Sequence, residues 1–297
     1  MKLSTHQPKI IVVGSSSIDL VMNTVQPALP GETVMAAQSE NFFGGKGANQ
    51  AVACSRLGTS VYLIGRVGMD PYGQQILRHL KDEGVNVAYI SEDQDEPTGT
   101  AYVTSFDGKN SIVVVPSANR SLTPKKIEMA KDLFETADIV LVQLETSSEV
   151  LQQTYELCKK NKKRLGIYAA PATKLSDEIV DYATFIVAKK KDLSILFGED
   201  RKEVILQKLP NKLFIRNDTN TTIYYDGEEM RYYQKEPENK AHNMGMGDAF
   251  TAGFAVALCH GNPIKECVKF GNDISLRVSA HRGSQRGLPH LRDLELK

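Results

Sequence analysis

The chain is 297 residues long, 41% apolar and 24% charged, and 36 Lys plus Arg balance 36 Asp plus Glu at a formal net charge of +0. That length suits about two domains or one large α/β unit, with enough core to fold without disulfide or metal staples. The balance argues against the basic stripe of a nucleic-acid binder or a polybasic membrane face, and no apolar run approaches the roughly 18 residues of a membrane span.

In chain order, Met1 to Lys9 is polar and lacks the apolar stretch of a signal peptide. Ile10 to Val13 is continuously apolar, as in a strand covered on both faces, and Gly14-Ser15-Ser16-Ser17 follows as a turn. Similar runs cover Val61 to Ile64, Ile139 to Leu144, Leu165 to Tyr168, Phe185 to Ala188 and Leu213 to Ile215. Helical patterns fall between them at Asn49 to Leu57, Pro71 to Glu83 and Ser147 to Lys160. This alternation predicts βαβ units and a mostly parallel sheet.

Two segments break the rhythm. Val21 to Phe43 holds a Pro-Gly turn and a short alternation, and Thr98 to Val115 reads as a hairpin about Asp107-Gly108. Together they predict a small antiparallel sheet with one face free to cover a cleft. A second hairpin is expected about Asp226-Gly227, where Tyr224, Tyr225, Tyr232 and Tyr233 serve sheet packing. Cys54, Cys158, Cys259 and Cys267 form no CxxC pair and read as buried thiols in a reducing compartment, so cytoplasm is expected. His6, His79, His260, His281 and His290 show no metal-ligand spacing, and no metal site in the protein is expected.

Two glycine-rich turns carry the chemistry. Gly44-Gly45-Lys46-Gly47-Ala48-Asn49-Gln50 places a charge and an amide where a helix begins, without the residue order of a P-loop. Met244-Gly245-Met246-Gly247-Asp248 leads into a small-residue apolar helix, and its free N–H groups suit a phosphoryl oxygen. By itself, Asp248 reads either as a helix cap or as a base aimed at a hydroxyl.

With these turns, Gly14 to Asp19, Gly31-Glu-Thr33, Arg56-Leu-Gly58, Gly65 to Asp70, Thr98-Gly-Thr100, Ala118-Asn119, Gln143-Leu-Glu145 and Gly283 to Pro289 stand in order. In this set the chain resembles the ribokinase branch of the ribokinase-like (PfkB) carbohydrate kinases, from the first strand to Pro289. The resemblance implies a Rossmann-like three-layer α/β core (residues 1–297 as one kinase domain) with a small β-sheet lid from about 15–43 and 98–117. It implies transfer of the γ-phosphate of ATP, with Mg²⁺, to the terminal hydroxymethyl oxygen of ribose or a close pentose, and often a homodimer through the lids. Adenosine and fructose-phosphate kinases share the scaffold, but the complete Gly44 to Gln50 stretch and Gln143-Leu-Glu145 favour a pentose. By position, Asp19, Gly45, Lys46, Asn49 and Glu145 match sugar-binding residues. Asp248 matches the catalytic base, and the amides of Gly245, Met246 and Gly247 match the anion hole. Ser17 stands where the family has Asn, and it can still donate and accept.

The nucleotide half departs further. The family's Asn-x-x-Glu falls at Lys189 and Asp192, its Asn-Pro-Ala-Pro-Ala at Tyr168 to Ala172, and its glycine-bearing phosphate loop at Arg216 to Thr221 with Asp218 in a glycine's place. A carboxylate there would repel triphosphate unless Mg²⁺ or Arg216 intervened. The link from Gly198 to Leu213 predicts a trimmed helix, and Asn272 matches a position near the adenine. His242 replaces a K⁺-ligating Asp and Gly287 a Ser, so K⁺ activation is expected to be weak or absent. Two accounts follow: a working kinase with a rebuilt nucleotide loop, or a sugar-binding protein that has lost efficient transfer. The intact Asp248 and its glycine nest favour the kinase; a pure scaffold leaves the polar sugar set unexplained.

Overall fold

The computed structural model describes residues 1–107, 109–217, 219–235 and 244–295. In chain order the elements are β1 Lys9–Val13, β2 Ser17–Thr24, β3 Ala36–Gly44, α1 Lys46–Arg56, β4 Ser60–Gly68, α2 Pro71–Asp82, β5 Asn86–Asp93, β6 Thr100–Phe106 and β7 Lys109–Val115. Then come α3 Pro124–Glu128, α4 Lys131–Thr136, β8 Ile139–Gln143, α5 Ser148–Lys160, β9 Arg164–Tyr168, α6 Asp177–Tyr182 and β10 Phe185–Lys189. The chain continues through α7 Leu193–Phe197, α8 Lys202–Lys208, β11 Leu213–Arg216, β12 Thr222–Tyr225, β13 Met230–Tyr233, α9 Met246–Cys259 and α10 Ile264–Ser279.

Among the described residues, the main sheet runs β13-β12-β11-β10-β9-β8-β1-β4-β5. It is parallel from β11 to β5, and the hairpin β12–β13 closes the opposite edge antiparallel. The continuous apolar run of β1 is explained by its two faces. Ile10 and Val12 join the core under α1, α2, α9 and α10, while Ile11 and Val13 join the core under α3 to α8. Three layers result, as expected. Helix α1 begins at Lys46 rather than Asn49, and α8 is indeed short.

The smaller sheet runs β3-β2-β6-β7. Its expected segments are right, but its expected antiparallel character holds only in part: β2 and β6 pair parallel, from Ile18 opposite Thr100 to Asn23 opposite Ser105. Both strands leave the same edge of the main sheet, β2 after β1 and β6 after β5, and so run in one direction. The hairpin β6–β7 forms where expected, with Asp107 left-handed at φ 46°; Gly108 lies outside the described residues.

Candidate active site

A cavity of about 1110 Å³ opens at the carboxyl ends of β1, β8, β10 and β11, between the main sheet and the smaller one. Strand order reverses between β1 and β8, because successive units step to either side of that pair. Main-chain ends diverge there, and α/β sheets place ligands in that crevice.

Of the residues singled out from sequence, Ser17, Asp19, Gly45, Lys46, Asn49, Glu145, Lys189, Arg216, Gly245, Met246, Gly247 and Asp248 all line this cavity. Asp192 does not: β10 ends at Lys189, and the 3₁₀ turn Lys190–Asp192 carries Asp192 off the wall. Asn272 does not either. It is fully buried on α10, accepting from Thr222 Oγ1 at 3.0 Å and donating to Val268 O at 2.9 Å. Asp218 and His242 lie outside the described residues.

Gly45 turns the chain from β3 into α1 at φ 88°, a left-handed value that a side chain would strain. It caps α1 without a side chain, and the carboxylate of Glu145 supplies the missing acceptor from across the fold. Glu145 Oε2 accepts from Lys46 N at 3.1 Å, its Oε1 accepts from Lys46 Nζ at 2.8 Å, and Ser15 Oγ also donates to it. An anion at a helix N-terminus is stabilised there. Burial works against the Lys46 charge, yet the carboxylates of Glu145 and Asp248 outweigh it and raise its pKa. Burial likewise opposes ionisation of Glu145, and Lys46 beside it wins, holding that carboxyl below its usual range.

Asp19, on β2, is 6% exposed and accepts from Ser17 Oγ at 3.1 Å. Burial pushes its pKa up to about 6, against the pull of that hydroxyl. Serine in place of asparagine thus serves the carboxylate as a local donor.

Gly245 enters α9 left-handed at φ 78° and caps it without a side chain. The first-turn N–H groups that follow have no acceptor within the helix. Asp248 is not the cap. Its Oδ2 accepts from Asn49 Nδ2 at 3.0 Å and its Oδ1 from Gln50 Nε2 at 3.2 Å. Burial pushes its pKa up to about 6, opposed by Lys46 and by both amides. Asn49 Oδ1 in turn accepts from Ser284 Oγ at 3.0 Å and Gln285 Nε2 at 2.9 Å. Asn49 is therefore held mainly by protein.

Arg216, expected to face the nucleotide, turns its guanidinium inward. At 5% exposure it donates to Met246 O at 2.9 Å, Asn220 Oδ1 at 2.6 Å and Ser275 Oγ at 3.0 Å, and it stacks 4.3 Å from the Phe250 ring. It braces the nest from behind. The loop that lost its glycines still turns, because Asn220 takes the left-handed conformation at φ 58° and Asn217 Oδ1 accepts from the amides of Thr219 and Thr221. At Gly287 a Cβ would come within 2.7 Å of Arg277 O, which leaves no room for the family's hydroxyl. Among the described residues there is no group of His, Cys, Asp and Glu that could hold a metal ion.

Sequence reasoning gave no role to Ser15, Gln50, Asn119 or Tyr168. Asn119 clamps the turn after β1, its Oδ1 accepting from Ser16 N at 2.9 Å and its Nδ2 donating to Ser16 O at 2.8 Å. Tyr168, at the end of β9, lines the cavity, and burial raises its phenol to about 12. Each of the four falls inside or beside a motif already noted, which was the signal available.

Residues 7–291 match the pfkB family of carbohydrate kinases. A curated ribokinase of Bacillus subtilis is 36% identical over 286 residues, covering 96% of this chain and 98% of that protein. A ribokinase of Lactococcus lactis is 32% identical, covering 97% and 96%. The solved structure of Arabidopsis thaliana ribokinase complexed with ribose and ATP superposes with a TM-score of 0.85 at 27% identity, covering 97% of each chain.

Proposed function

This chain belongs to the pfkB family of carbohydrate kinases, and on that premise we propose that it moves the γ-phosphoryl group of ATP onto the terminal hydroxymethyl oxygen of ribose. The observation that carries this reading is the convergence, in one cavity, of the Asp248 carboxylate, the α9 nest and the polar set Asp19, Lys46 and Glu145.

A sugar has hydroxyls on nearly every carbon, and each one buried without a partner is costly. Asp19 accepts from such hydroxyls, while Lys46 and Ser17 donate. The terminal hydroxymethyl group lies against Asp248, which is ionised at neutral pH because its pKa of about 6 is still below 7. As the hydroxyl oxygen bonds to the γ-phosphorus, its proton passes to Asp248 and the bond to the β–γ bridging oxygen breaks, releasing ADP. The amides of Gly245, Met246 and Gly247 take the charge on the transferring group, and Lys189 lies on the wall where the triphosphate enters. Mg²⁺ comes with ATP as part of that substrate, held chiefly by phosphate oxygens. The account in which transfer has been lost has no support: the nucleotide loop keeps its turn, and the close relatives are kinases.

The smaller sheet acts as a lid in this reading. Ala101, Val103, Ile112 and Val114 line the cavity from its inner face. On the outer face Tyr102 and Val113 stand opposite each other, 44% and 65% exposed, on the edge pair β6–β7. We assign this apolar edge to a homodimer of lids.

Replacing Asp19 by Ala tests the sugar site. Loss of a charged acceptor is expected to weaken ribose binding by roughly 1.5–3 kcal/mol in titration calorimetry. An unchanged affinity would move the sugar elsewhere.

A further inference from the structure

Behind Asp248 lies a chain of amides that sugar binding does not explain. Gln50, on α1, is fully buried and donates through Nε2 to Asp248 Oδ1 at 3.2 Å. Its Oε1 accepts from Gln143 Nε2 at 2.7 Å, and Gln143 is the last residue of β8, 1% exposed. Neither glutamine lines the cavity. From this geometry we infer that Gln50 and Gln143 are positioning residues for phosphoryl transfer, two amides in series that fix the orientation and the charge of the catalytic carboxylate.

An amide can reverse its oxygen and nitrogen, and Gln50 reversed would turn an oxygen toward the Asp248 carboxylate. The Asp248 carboxylate opposes that reversal, and so does the donor from Gln143, which would be left facing another donor. Asn49 is oriented in the same way from the other side, by Ser284 and Gln285. With one oriented amide on each oxygen, the carboxylate cannot rotate without losing both bonds. One lone pair on each oxygen stays free for a hydroxyl.

The relay carries a cost that packing alone would not retain. Gln143 Oε1 is buried with no hydrogen-bond partner among the described residues, a cost that an apolar side chain of similar size would avoid. Its retention fits a requirement for the donor at the other end of the same amide.

Among the described residues, the charged and titratable groups around Asp248 are Lys46 on α1, Glu145 after β8, Tyr168 at the end of β9 and Arg216 behind Met246. Burial and Glu145 favour the protonated acid, while Lys46, Asn49 and Gln50 favour the carboxylate. Removing the Gln50 donor therefore extends the protonated, inactive range toward higher pH.

The inference rests on the reading of Asp248 as the base, and the experiment separates the two. It compares kcat against pH for the wild type, Gln50→Met, Gln143→Met and Asp248→Ala, with ribose KM read alongside. The acid limb of Gln50→Met is expected to move alkaline by about half to one pH unit, with ribose KM within about three-fold of wild type. Gln143→Met should move it the same way by less. A merely structural role for Gln50 would instead displace α1, raise KM through Lys46 and leave the limb in place. An unmoved limb in folded Gln50→Met overturns the inference. Should that variant not fold, Gln143→Met, which removes an unpaired buried oxygen at the far end of the relay, is judged by the same criterion. If Asp248→Ala keeps wild-type turnover, the base reading itself falls. If Asp248→Ala is inactive while both methionine variants overlay the wild type, the relay alone is wrong.

Discussion

As the proposed base, Asp248 would draw its reactivity from contradictory surroundings. Burial pushes its pKa up to about 6, while Lys46 and two amides keep it from rising further. A base with that pKa is ionised at neutral pH yet holds a proton better than an exposed aspartate does. The sign follows directly: turnover needs the carboxylate, so kcat should be near its plateau above about pH 7 and fall as pH drops through about 6. A kcat profile that stays flat down to the ordinary aspartate range would contradict this. Most of the residues singled out were legible as cavity lining, because glycine-rich turns and a lone carboxylate at a helix start announce themselves. Those that act through others were not. Gln50 meets Asp248 and Gln285 meets Asn49 through side-chain bonds that span most of the chain, and Gln143 reaches Asp248 only by way of Gln50. The partners of Arg216 were hidden for the same reason: it lines the cavity, but its guanidinium donates to Met246 O, Asn220 Oδ1 and Ser275 Oγ.

Elements were easier to read than their joints. The runs of β1, β4, β8, β9, β10 and β11 follow from apolar continuity, and the turn between β11 and β12 is made through Asn220 rather than glycine. Strand direction in the smaller sheet was not legible, since it depends on where the main sheet releases β2 and β6. The junction of α1 with the turn after β1 shows what the first glycine-rich turn, Gly44 to Gln50, demands. A Cβ on Gly47 would lie 2.6 Å from Gly14 C and 2.7 Å from Ser15 N, both main-chain atoms. The close approach is thus to the chain's own backbone, and α1 must shift to accept any side chain. Gly47→Ala should cost about 1–3 kcal/mol by overpacking and lower turnover as well, because Lys46, Asn49 and Gln50 move with the helix. Thermal denaturation together with kcat checks this; a variant as stable and as active as wild type would show that the junction is slack.

At the scale of the whole molecule, the main sheet supplies the floor of the cavity and the separate smaller sheet, β3-β2-β6-β7, stands over it. The lid edge carries the dimer reading to its test. Val113→Asp puts a charge on the exposed outer face, and light scattering should show wild-type dimers giving way to monomers; a wild-type monomer at micromolar concentration would remove the assignment. The resemblance legible in sequence already implied a carbohydrate kinase, and the matched family, the relatives and the shared fold agree on it. What remains is to see the reaction in this chain. The most direct measurement is ADP release from Mg·ATP by the purified wild type with and without ribose, beside Asp248→Ala. The account predicts release that depends on ribose, forms ribose 5-phosphate in equal amount, and falls by at least about a hundred-fold in the variant. No ribose-dependent release by the wild type, or equal release by the variant, would contradict it.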